Sequence, residues 1–96
     1  MKRPWVVLLA VVLCAGLVVA GCATANGIQN TRTTLEKAKA AGAMTKAPFE
    51  YYAADAFLKK ATIQFEEGDS KQADIFNKEA SAYAAKALQM AGGGAK

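Results

Sequence analysis

The stretch FEYYAADAFLKKATIQFEEGDSKQADIFNKEASAYAAKAL, residues 49–88, decides the fold. Within it Tyr51, Ala54, Leu58, Ala61 and Phe65 recur at intervals of 3, 4, 3 and 4. Beyond Gly68, Ala73, Phe76, Ala80, Tyr83, Ala87 and Met90 repeat the pattern. That period is the apolar stripe of an amphipathic helix. Phe57 widens the first stripe, and Ala84 and Leu88 flank the second. Gly68 can take the left-handed conformation that ends a helix. Asp69 or Ser70 caps the next helix, and Asp69 with Gln72 forms a capping-box variant. So short a turn sets the two helices antiparallel. Large and small residues alternate along both stripes, so each helix offers alanines where its partner offers rings.

Upstream, Pro48 suits the first turn of a helix, and Ala47 before it resists the helical region. Ile28, Thr31, Leu35, Ala38 and Gly42 make a further stripe, though only Ile28 and Leu35 carry much apolar area. Glu36, Lys37 and Lys39 form its solvated face, and Ala41-Gly42-Ala43 interrupts it. Downstream, Gly92-Gly93-Gly94 ends the last helix and leaves residues 92–96 as a flexible tail. Nothing after the apolar start reads as a strand. The expectation is an all-α fold: an N-terminal apolar helix, then a short three-helix unit over residues 28–91 containing the antiparallel hairpin.

The whole chain has 96 residues, 53% hydrophobic, with 12 Lys and Arg against 8 Asp and Glu. It contains no histidine, which removes the usual general base and every Ser-His or Cys-His nucleophile pair. Two cysteines support neither a disulfide framework nor a thiolate zinc site. No basic stripe with interleaved aromatics points to nucleic acid. The sequence therefore reads as non-enzymatic, with no cofactor, metal or small-molecule substrate.

Much of the apolar content sits at one end. Met1-Lys2-Arg3 is cationic, and Trp5 to Ala20 then runs 16 residues without a charged or polar side chain. A basic start, an apolar run and small residues describe an export signal. The run ends in Val19-Ala20-Gly21-Cys22, which resembles a bacterial lipobox. The resemblance implies cleavage between Gly21 and Cys22, a diacylglycerol thioether on the Cys22 sulfur and acylation of its new amino group. Residues 1–21 would be the signal peptide and residues 22–27 a lipid-proximal tether. A retained transmembrane anchor and an ordinary signal with a chance cysteine are the competing readings; the cysteine after Ala-Gly favours the lipoprotein. Cys14 lies within the signal and carries no role. Residues 22–96, 75 in all, would keep ten basic against eight acidic side chains.

The alanine spacing and the Gly-Asp turn resemble one tetratricopeptide-type hairpin, of which no second copy occurs. Ala47-Pro48-Phe49-Glu50-Tyr51, then Ala54, Leu58, Lys60 and Ala61, with Gly68-Asp69, Ala73, Ala80, Tyr83 and Ala87, are similar to small bacterial lipoproteins bearing a tetratricopeptide-like domain of unknown function. That resemblance implies a cell-envelope component and supplies no catalytic residues. By resemblance to enterobacterial sorting, the non-aspartate Ala23 after the cysteine implies the outer membrane, facing the periplasm.

Among candidate sites, Tyr51 and Phe57 read as core, while Tyr52 and Ile63 lie off the main stripe as interface candidates. Glu66, Glu67 and Asp69 lack calcium-loop spacing and read as turn solvation. Glu50 and Asp55 do not share a helix face for acid–base work. Lys59, Lys60, Lys71 and Lys78 read as solvated. Lys96, behind the glycine tail, resembles the terminal lysine by which some small lipoproteins are joined to peptidoglycan. The expected partners are the membrane, through the lipid, and an envelope protein or a second copy. The chain reads as a structural or interaction module, with a wall tether or a small membrane-active lipoprotein as alternatives.

Overall fold

The computed structural model describes residues 4–93, with the backbone alone for residues 14–21. Helix α1 runs from Pro4 to Ala40, α2 from Ala43 to Lys46, α3 from Pro48 to Glu66 and α4 from Ser70 to Leu88. A π-type turn, Gln89–Gly93, closes the described chain. All elements are helical, and no strand occurs among the described residues.

Local sequence accounts for the boundaries of α3 and α4. Pro48 occupies the first turn of α3. Gly68 takes φ 88°, and a Cβ there would meet nothing within 4 Å, so its backbone conformation alone calls for glycine. The Asp69 carboxylate accepts from the Gln72 amide at 2.9 Å, capping α4. α3 and α4 then pack as an antiparallel pair: Phe49 near the start of α3 meets Tyr83 late in α4, at 5.8 Å between ring centroids.

The core is built on alanine. Ala54, Ala61, Ala73, Ala80, Ala84 and Ala87 are wholly buried, and Tyr51 and Leu58 lie with them. Among the described residues no large side chain is completely enclosed, so the helices hold together by close backbone approach more than by large apolar payloads. The α4 stripe differs from its expected course. Ala84 and Ala91 are buried where Met90 was expected, and Met90 is 48% exposed. The wide turn after Leu88 carries Met90 off the helical line.

α1 corrects the sequence reading most. Residues 22–27, expected as a tether, continue the helix without a break. Within them Thr24 is buried, and Ile28, Thr31, Leu35 and Ala38 extend the same seam at intervals of 4, 3, 4 and 3. Thr31 lies in this seam with its hydroxyl satisfied, donating to the Gly27 carbonyl at 3.1 Å. The seam rests chiefly on α4 and less closely along α3. Gly42, expected within a helix stripe, instead sits past its end at φ 93° and turns the chain into α2. At that end the Lys46 ammonium donates to the carbonyls of Ala41 and Ala91, both at 3.3 Å. It thereby joins two helix C-termini, where the macrodipole favours a cation.

Candidate functional site

Cys22 is exposed and stands two residues before Thr24, which is buried. On the other side, Trp5 to Leu13 presents apolar side chains outward on every face: Trp5 is 56% exposed, Leu8 63% and Leu13 69%. The side chains of Cys14, Val19, Ala20 and Gly21 lie outside the described residues. Among the described residues no helix is long and apolar enough to cross a membrane.

The packing direction gives the bundle two distinct ends. Ala25 and Ile28 of α1 border one hollow with Phe65 and Glu66 of α3, so Cys22 and the Gly68 turn share an end. Glu66, Glu67 and Asp69 lie there. At the opposite end are Lys37 and Lys39 in the last turn of α1, Lys46 closing α2 and Lys86 in the last turn of α4. The described chain also leaves at that far end, through Gly93. Lys96 lies outside the described residues.

Between α1 and α3 runs an open groove. One hollow of about 370 Å³ is lined by Arg32, Asp55, Leu58, Lys59, Thr62 and Ile63, and Arg32 borders the hollows above and below it. The Arg32 guanidinium donates to the Thr62 hydroxyl at 3.4 Å, and that hydroxyl donates to the Leu58 carbonyl at 2.9 Å. Lys59 and Asp55 pair at 3.1 Å one helical turn apart. Ile63 lines this groove, while Tyr52 rises beyond it and meets Tyr51 edge-on at 5.1 Å. Both Tyr52 and Ile63 are 50% exposed. Burial first, then the nearby Asp55 and Tyr52, raises the Tyr51 phenol above its ordinary 10.0, so it remains neutral.

The opposite seam of the hairpin carries a second row. Phe57 stacks on Tyr83 at 6.0 Å with rings nearly parallel, and lies 6.3 Å from Phe76. Phe57 is therefore half-buried in an outer aromatic row, not enclosed in the core. Lys60, expected as merely solvated, sits 5.6 Å from the Phe57 ring and 5.5 Å from that of Phe76. Cation–π attraction and burial of its stem hold it there.

Sequence reasoning passed over Arg32 and Asn77. Arg32 stands four residues after Ile28 and three before Leu35, at the flank of a buried stripe, which was the available signal. Asn77 stands between Ala73 and Ala80 in the core spacing. Its Oδ1 is buried without a partner, and a Cβ at Gly27 would lie 3.0 Å from its Nδ2. No group of acidic, Cys or His side chains suited to hold a metal occurs among the described residues. No protein family, curated protein or solved structure compared with this chain matches it.

Proposed function

We propose that this chain is a small cell-envelope lipoprotein, anchored through acyl chains on Cys22, whose helical unit is a non-enzymatic interaction module. One observation supports the reading above the others. The exposed apolar residues of α1 between Trp5 and Leu13 lie on one side of Cys22, and the buried seam from Thr24 to Ala38 lies on the other. Cleavage before Cys22 would remove the apolar length and leave α1 as residues 22–40, matching the 19 residues of α3 and of α4. The three helices then form a compact unit resembling a tetratricopeptide-type hairpin covered on one side by α1. The acyl chains supply location, since one chain alone holds only marginally at about 0.8 kcal/mol per methylene. The groove and the outer row supply contact. The outer membrane, facing the periplasm, is the location this reading favours.

Metabolic labelling with palmitate tests the anchor. Label is expected on the wild-type protein and is lost in Cys22→Ala, which also accumulates at precursor length. Label that persists in Cys22→Ala ends the proposal.

A second reading draws on the direction of the bundle. The described chain leaves at the end opposite Cys22, about 28 Å away along the 19 residues of α4. The tail would carry Lys96 away from the membrane, toward a wall polymer with which its amine could be joined. Release of the protein from isolated sacculi by muramidase, but not by detergent, is the expected result of such a linkage. Complete extraction by detergent alone excludes it.

A further inference from the structure

We infer that the outer aromatic row of the α3–α4 hairpin is the contact face of a parallel, two-fold dimer of this chain. The inference rests on the membrane-anchored reading, which fixes every copy in the same orientation. A two-fold axis between two such copies must run along the helices. That operation sets α3 of one copy against α4 of the other at equal height above the membrane end.

Height can be read from distance to the Gly68 turn, because α3 and α4 leave it in opposite chain directions. Lys60 and Phe76 are then level, each 8 residues from Gly68, and Phe57 and Glu79 are level at 11. The ring contacts agree, since Lys60 lies over Phe76 and Phe57 lies between Phe76 and Tyr83. Glu79 shares this face, being three residues after Phe76 and four before Tyr83. Glu50 is seven residues before Phe57, and Lys86 is three after Tyr83, both 18 from the turn.

The face thus carries acid over base on α3, Glu50 above Lys60, and base over acid on α4, Lys86 above Glu79. The two-fold brings Glu50 level with Lys86 of the other copy. It brings Lys60 within one helical turn of that copy's Glu79. Facing α3 with α3 in the same orientation would instead oppose Lys60 to Lys60. Among the described residues, none of these four side chains forms an ion pair within the chain. Between the charged pairs lie Phe49, 67% exposed, with Ala53, Phe57, Phe76 and Tyr83. Such a pattern is self-complementary in charge and apolar at its centre, as a two-fold interface requires. Tethering to one bilayer raises the effective concentration of copies, so a modest face suffices. A unit this small also gains stability by covering an exposed row.

Zero-length carbodiimide coupling of membranes from cells making the full chain tests the arrangement. A species of twice the chain mass is expected, with Lys60 of one copy joined to Glu79 of the other. Peptide mapping reads the linkage: Lys60→Glu and Glu79→Lys each lose the link between positions 60 and 79, and the double exchange regains it. A dimer-mass species with no link between positions 60 and 79 or between positions 50 and 86 overturns the face. A coupled species of any other mass overturns the second copy as occupant. Palmitate labelling of the same samples separates the two readings. Labelled protein without the coupled dimer refutes the interface alone, and unlabelled protein with a swap-dependent dimer refutes the anchor alone.

Discussion

Leucine in place of Ala80 is expected to destabilise the bundle by about 1–3 kcal/mol or more, as overpacking of an enclosed core site does. Ala80 is 0% exposed in a row with Ala73, Ala84 and Ala87, all equally enclosed. From its height above the turn it faces the stretch of α3 between Ala54 and Leu58. The added carbons have nowhere to go except between the backbones of α3, α4 and α1. Either α1 is lifted from the hairpin or the side chain is forced off its rotamer. A single core of this size supplies only about 3–5 kcal/mol in total, so the loss removes a large share of stability. Ala85→Leu is the matched control: Ala85 lies on the exposed side of α4, where the same change stays within about 0.5 kcal/mol. Urea titration followed by far-ultraviolet circular dichroism reads both. Equal midpoints for the two variants would contradict the alanine-built core.

The reason alanine carries so much of this fold also explains which parts of it were legible. Periodicity located α3 and α4, and Gly68 with Asp69 located their turn, because stripe spacing and capping are local properties. The exposure of Tyr52 and Ile63 was likewise legible from their places off the stripe, and each is half exposed. Continuity of α1 through residues 22–27 was not legible. Small residues read equally well as a flexible link and as a surface for close helix approach, and only tertiary packing chooses between them. Gly27 against Asn77 is such an approach. Lys60 was missed for a related reason: its position above Phe57 and Phe76 depends on a ring from another helix. Arg32 was hidden because its partner, Thr62, lies 30 residues away.

The same choice between link and helix makes proline at position 27 the most discriminating change in α1. Gly27→Pro is expected to cost about 3 kcal/mol or more, since proline inside a helix removes a backbone hydrogen bond and its ring strikes the carbonyl four residues earlier. Gly27 lies six residues before Thr33 and five after Cys22, inside α1 whether or not cleavage occurs before Cys22. The break would free residues 22–26 from α4 and expose Ile28 at the new end. Asn77 adds to the cost, because any atom at the Cβ position of residue 27 comes within 3.0 Å of its amide. Gly27→Ala separates these effects. It meets the same amide, but keeps the hydrogen bond and gains about 1 kcal/mol of helix propensity, so it is expected near wild-type stability once the Asn77 side chain shifts. A flexible tether over residues 22–27 would make both substitutions neutral, whereas a packed helix makes proline severe and alanine mild. Denaturation midpoints of the two variants therefore decide whether Cys22, the proposed lipid site, is joined to the bundle by a loose strand or by the rigid start of α1. In the rigid case a lipid on Cys22 would hold the bundle at a fixed height and orientation on the membrane, which the proposed parallel contact between copies requires.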